Sequence, residues 1–197
     1  MFREEFRAAL ESKTTQITNL KSEVSHLKDR IVKLEERIDD GDAYERRDTL
    51  IFTGDGVPVG LSDENPVSVV CGLVREKLKI AIQPSDISTA HRMGRKPVTQ
   101  APDTRKLVVK FCRRDIKKDI LLAGKNLKPN FYVNESLTPI RNTILFALRK
   151  MRRAHPNIVK GACTIDGRVF AWVSPSPESQ SNVRILVNSH SSLLKLS

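Results

Sequence analysis

The sequence predicts an α+β fold: an N-terminal parallel coiled coil, a ferredoxin-like domain, and a small α/β C-terminal domain carrying a β-hairpin. Three observations predict it. Apolar residues between Phe6 and Ile38 recur in alternating steps of four and three. The stretch from Leu50 to Val133 reads strand, helix, strand, strand, helix, strand. Asp166-Gly167 separates two strand-like runs near the C-terminus.

The heptad register places Leu10, Ile17, Val24, Ile31 and Ile38 at position a, and Phe6, Lys13, Leu20, Leu27 and Leu34 at position d. A 3.5-residue repeat keeps such a seam facing a partner helix. Glu23 at g meets Lys28 at the next e of a parallel neighbour, and Arg30 at g meets Glu35, so both pairs attract. Lys13 is a polar interruption that sets register. β-Branched residues at a with Leu at d favour dimers. Arg30-Ile31-Val32-Lys33-Leu34-Glu35 matches the R-h-x-x-h-E pattern (h apolar) of short parallel trimers, in which the Arg stem covers the seam. The expectation is a homotrimer, with a homodimer as the alternative, held by Ile17, Leu20, Val24, Leu27, Arg30, Ile31, Leu34, Glu35 and Ile38.

Asp39-Asp40-Gly41-Asp42 is expected to end the coil, because Gly weakens a helix and acids sit badly at its C-terminus. The domains are thus 1–41 (coil), 42–47 (linker), 48–135 and 136–197. Leu50-Ile51-Phe52 is the first strand. Asn65-Pro66 starts a helix, with Asn as cap and Pro at the first helical position. A second strand runs from Ile87 to Met93, and residues 94–104 form a loop. A third strand runs from Lys106 to Phe111, a helix ends at Gly124, and Phe131-Tyr132-Val133 is the fourth strand. This order is the split βαβ arrangement, with two helices on one sheet face and the other face open. Thr138-Pro139 starts the next helix, which His155-Pro156 ends. Ala162–Ile165 and Arg168–Val173 flank a type I′ turn at Asp166-Gly167. Ser174-Pro175-Ser176-Pro177 opens a loop, residues 182–187 form a last strand, and residues 189–196 a terminal helix.

Charge separates the parts. Residues 1–42 hold 8 Lys/Arg against 10 Asp/Glu, residues 43–135 hold 17 against 11, and residues 136–197 hold 9 against 2. A near-neutral stalk therefore carries a strongly basic body, which suits polyanions, nucleic acid before membrane surface. No apolar run is long enough to span a bilayer. Nothing N-terminal reads as a signal peptide. Cys71, Cys112 and Cys163 are scattered, as expected for free thiols in a reducing compartment.

An open sheet of this topology suggests an RNA recognition motif, which ordinarily stacks bases on aromatics of its first and third strands. Here those outward positions hold Ile51, Lys106, Val108 and Lys110, with Phe52 and Phe111 turned to the core. Lysines in place of a stacking platform point to phosphate contact with little sequence reading. The candidate nucleic-acid contacts are Arg92, Arg95 and Lys96 on a loop, Lys106 and Lys110 on the sheet, and Arg141, Arg149, Arg152 and Arg153 on one helix. Phe170 and Trp172 could stack bases, but so few aromatics are available to fill the core that they are assigned to it. The four His and three Cys offer no metal-ligand spacing. Gly124-Lys125 lacks the upstream glycine of a phosphate loop, and no Gly-x-Ser-x-Gly elbow occurs. The expectation is a non-enzyme that takes no cofactor and no small-molecule substrate.

Several stretches, in this order, resemble the first-open-reading-frame protein of LINE-type (non-LTR) retrotransposons. They are the Arg30…Glu35 heptads, Arg47-Asp48-Thr49-Leu50-Ile51-Phe52-Thr53-Gly54, His91-Arg92-Met93-Gly94, Val109-Lys110-Phe111, Asn134-Glu135-Ser136-Leu137-Thr138 with Arg141, and Asp166-Gly167-Arg168 with Phe170. The resemblance implies a trimeric single-strand nucleic-acid binder and chaperone. Such a protein packages element RNA into a cytoplasmic ribonucleoprotein, with the nucleus as a second compartment. It also implies that Arg141 contacts nucleic acid, and it leaves single-stranded DNA as a second ligand. The last two domains resemble the baculovirus few-polyhedra protein as well, which admits a rival: an oligomeric scaffold for a protein or viral structure.

Overall fold

The computed structural model describes residues 2–61, 63–95, 103–125, 127, 130–174 and 182–194, apart from the side chains of 8, 190 and 191. The protein is mixed α and β, in two compact units, Met1–Gly41 and Asp42–Ser197.

The first unit is helical. Helix α1 spans Phe2–Arg46, ~68 Å at 1.5 Å per residue. The residues expected at the seam lie on it with their side chains in solvent: Ile17, Leu20, Val24, Leu27, Ile31, Leu34 and Ile38 are 46–64% exposed. The helix does not stop at Gly41 but runs on to Arg46, through most of the expected 42–47 linker, although the division between the two compact units falls after Gly41 as expected. One interior glycine costs a helix only about 1 kcal/mol. Two residues on, Ala43 is buried, and that burial offsets the penalty. No helix among the described residues is long and apolar enough to cross a membrane.

The second unit holds two sheets. Strands β1 (Thr49–Gly54), β2 (Ile87–Arg92), β3 (Leu107–Phe111) and β4 (Phe131–Glu135) form an antiparallel sheet of order β2-β3-β1-β4. Helix α2 (Pro66–Leu73) begins as expected: the Asn65 side chain accepts hydrogen bonds from Val67 N at 3.0 Å and Ser68 N at 3.4 Å. A π-helical turn, Val74–Leu78, extends it until Lys79 turns left-handed. Helix α3 (Arg114–Gly124) supplies Ile120 to the core. Strand alternation sends Leu50 and Phe52, Leu107, Val109 and Phe111, and Phe131 and Val133 into that core, where they meet Val70, Val74 and Ile120.

The smaller sheet has the order β5-β6-β7 (Val159–Ile165, Arg168–Val173, Val183–Leu186). Helix α4 (Pro139–Ala154) and the short α5 (His190–Leu194) complete this part. Its separate core joins Ile144, Leu145 and Leu148 of α4 to Val169, Ala171 and Val187. Phe170 and Trp172 are absent from it. They alternate with Val169 and Ala171 and stand half-buried on the sheet's other face, which corrects their expected core placement.

A buried polar bridge ties the two sheets together at the β5–β6 turn. Asp166 and Gly167 both have positive φ, 49° and 75°, as a type I′ turn requires. Lys117 of α3 is 2% exposed. Its ammonium pairs with Glu135 of β4 and lies 3.2 Å from Asp166 Oδ1. Asp166 N donates to the same Glu135 carboxylate at 2.9 Å. Arg141 Nη1 donates to Gly167 O at 3.0 Å. A turn whose amide, carbonyl and side chain are all engaged fixes the orientation of the hairpin on the larger domain.

Candidate nucleic-acid interface

Helix α4 carries the densest exposed positive charge. Its start is locally determined, with Pro139 at the first position and Thr138 Oγ1 accepting from Arg141 N at 3.3 Å. Burying Ile144, Leu145 and Leu148 against the small sheet leaves Arg149, Lys150, Arg152 and Arg153 exposed. Cations in a last helical turn also meet the negative end of the helix dipole. Phe146 sits among them, 70% exposed. Its i+3, i+4 and i+7 neighbours are Arg149, Lys150 and Arg153, so one stripe combines an aromatic ring with three cations. Sequence reasoning passed over Phe146. The available signal was an apolar residue on the polar side of an otherwise regular amphipathic pattern.

The charge of this region is barely offset. Among the described residues the only acid from 136 onward is Asp166, and Lys117 engages it.

The open face of the four-stranded sheet has the register expected of it, but Val108 is buried, only 9% exposed, and Lys106 lies just before β3. Lys110 lies opposite Thr49 and Thr89, while Val108 lies opposite Ile51 and His91. Lys106 and Lys110 are exposed. Tyr132 was not anticipated as part of this face. It stands beside Thr53 on edge strand β4 and is 53% exposed. Attention to the first and third strands alone had hidden it.

Two candidate contacts are corrected. Arg92 is the last residue of β2, not a loop residue, and its side chain is only 3% exposed. Nε and Nη2 bind Glu64 at 2.5 and 2.9 Å, and Nη2 and Nη1 donate to Pro58 O and Arg105 O at 2.7 and 2.9 Å. A guanidinium so engaged fastens loops and does not present itself to a phosphate. Arg141 is 3% exposed and anchors the hairpin through Gly167. It faces inward because the first turn of α4 lies under the β5–β6 turn. Arg95, Arg149, Arg152 and Arg153 are exposed, and Lys96 lies outside the described residues.

The Arg92 cluster carries a pH dependence. Arg105 binds Asp103 through Nη2 at 2.7 Å and holds its carboxyl down at about 2, below the ordinary 3.8. Arg92 likewise lowers Glu64. A carboxylate depressed in the folded state stabilises above its ordinary pKa, and that stability is lost as pH falls through the folded value. The wild type should therefore lose stability between about pH 4 and pH 2, and Asp103→Asn should lose less over the same range. Urea unfolding at pH 5 and pH 2.5 checks it; equal losses would refute it.

No protein-family model matches the chain, and no curated protein matches it.

Proposed function

We propose that this chain is a self-associating protein that binds single-stranded RNA, and single-stranded DNA by the same contacts, mainly through phosphates. In this reading it is a LINE-type first-open-reading-frame protein: a coiled-coil homotrimer, an RNA-recognition-motif-like domain and a C-terminal domain that together chaperone and package RNA into a cytoplasmic ribonucleoprotein. The observation that carries it is the exposed cluster Arg149, Lys150, Arg152 and Arg153 in a region whose one described acid is already engaged. Lys106, Lys110 and Arg95 add exposed cations. Phosphate contact of this kind is sequence-tolerant and releases counterions. Self-association would raise the effective concentration of each weak site, and the exposed apolar stripe of α1 supplies a reason to associate.

Four phosphate contacts on α4 imply that log K for homopolymer RNA falls against log[salt] with a slope of about −3 per chain. Arg149→Ala with Arg153→Ala should weaken binding to all homopolymers alike and flatten that slope by about 1 to 2. Filter binding from low to moderate salt tests both. Salt-independent affinity, or no binding below the micromolar range at low salt, would favour the scaffold reading instead.

A further inference from the structure

We propose that the solvent face of the small sheet, centred on Phe170 and Trp172, is a stacking site for unpaired bases of a single strand. The inference rests on the nucleic-acid reading above and adds base contact to phosphate contact.

Alternation on β6 is decisive. Val169 and Ala171 are fully buried under α4, so Phe170 and Trp172 occupy the opposite face. Strand β6 is the middle strand, flanked by β5 and β7, so the two rings sit at the centre of the face and not at its edge. They are two residues apart, the spacing that puts successive side chains of one strand on one surface.

The rings are held in place. Trp172 lies opposite Gly161, and a Cβ there would come within 3.2 Å of the indole Cε3. The absent side chain lets the indole lie down against bare backbone. Arg184 of β7 is also opposite Trp172, and its guanidinium carbon lies 5.1 Å from the Phe170 ring centroid. It braces that ring and places a cation where the phosphate of a stacked nucleotide would pass.

The electrostatic setting agrees. Outward positions of β5, β6 and β7 carry Arg168 and Arg184 and no carboxylate. Burial pushes up the thiol of Cys163, which lies opposite Phe170; Lys125 and Arg184 pull against that rise, and the Glu135 carboxylate adds a smaller push. A pre-set aromatic pair bordered by cations suits a base with its phosphate better than an acidic or apolar peptide. Aromatic stacking tolerates any base, as the phosphate contacts do.

Trp172 is the only tryptophan of the chain, so its fluorescence reports this face alone. The full-length protein is titrated with a short oligo(U) strand and with an abasic ribose-phosphate strand of equal length, both dye-labelled for anisotropy. The expected result is that both bind and only oligo(U) quenches Trp172 saturably. Phe170→Leu should cut oligo(U) affinity about 5- to 150-fold and leave abasic affinity unchanged. Binding of oligo(U) without quenching, or with equal effects of Phe170→Leu on both strands, overturns the stacking site and spares the phosphate reading. No binding of either strand overturns both. The quenching comparison uses the wild type, so it decides the matter even if the variant folds poorly.

Discussion

Leu20→Asp together with Leu27→Asp should reduce the protein to a monomer of about 22 kDa and lower its affinity for a long single strand about 10²- to 10⁴-fold. Both leucines lie at d positions of α1, and both are about half exposed in the single chain. A charge at each removes the apolar complement of any partner helix while leaving the charged flanks and the basic body untouched. On the proposed nucleic-acid reading the loss would come from effective concentration: each body would offer a few phosphate contacts whose single-copy binding is weak, and linkage would make further engagements intramolecular. Light scattering after size exclusion gives the mass, and filter binding with long RNA gives the affinity. A monomeric variant that binds as tightly as the wild type would remove the stalk from the mechanism. The wild-type mass in the same experiment decides between the Arg30…Glu35 trimer signature and the dimer preference of the Ile/Leu seam.

Lys117→Met is expected to destabilise the second unit by about 3–5 kcal/mol, the usual cost of removing one partner of a buried ion pair. Lys117 and Glu135 are almost without solvent contact, and the same Glu135 oxygen accepts from Asp166 N. Removing the ammonium leaves a buried carboxylate facing Asp166 with nothing to neutralise it. The double variant Lys117→Met with Glu135→Leu should recover much of the loss, because an apolar pair of similar volume is often as stable as the ion pair it replaces. What the double variant should not recover is the grip on the Asp166-Gly167 turn. Urea unfolding of the two single variants and the double supplies the cycle; additive losses would mean the pair is not coupled. Hydrogen exchange at Asp166 N reads the turn directly.

Much of the architecture was legible because its signals are local. Asn65-Pro66 and Thr138-Pro139 begin helices through hydrogen bonds and φ preferences confined to a few residues. Asp166-Gly167 makes its turn because both positions adopt positive φ, which Gly meets freely and Asp tolerates. Alternation put Leu50, Phe52, Val109 and Phe111 inside for the same reason. The continuation of α1 through Gly41 was not legible. Breaking power at a glycine is a matter of about 1 kcal/mol, and Ala43 two residues later finds burial that no local pattern announces.

The sequence by itself determined which elements form, where the charge lies along the chain, and that α1 bears a repeating apolar stripe. All three follow from composition and short-range periodicity. Tertiary structure alone decided which cations remain available. Arg92 is engaged by Glu64, 28 residues away, Lys117 by Glu135 and Asp166, and Arg141 by Gly167. Such pairings depend on which distant segments meet, so no local reading separates a fastening arginine from a binding one. The same holds for β6. Both its faces are apolar, Val169 and Ala171 on one and Phe170 and Trp172 on the other. Only the packing of α4 settled which pair became core and which was left facing out.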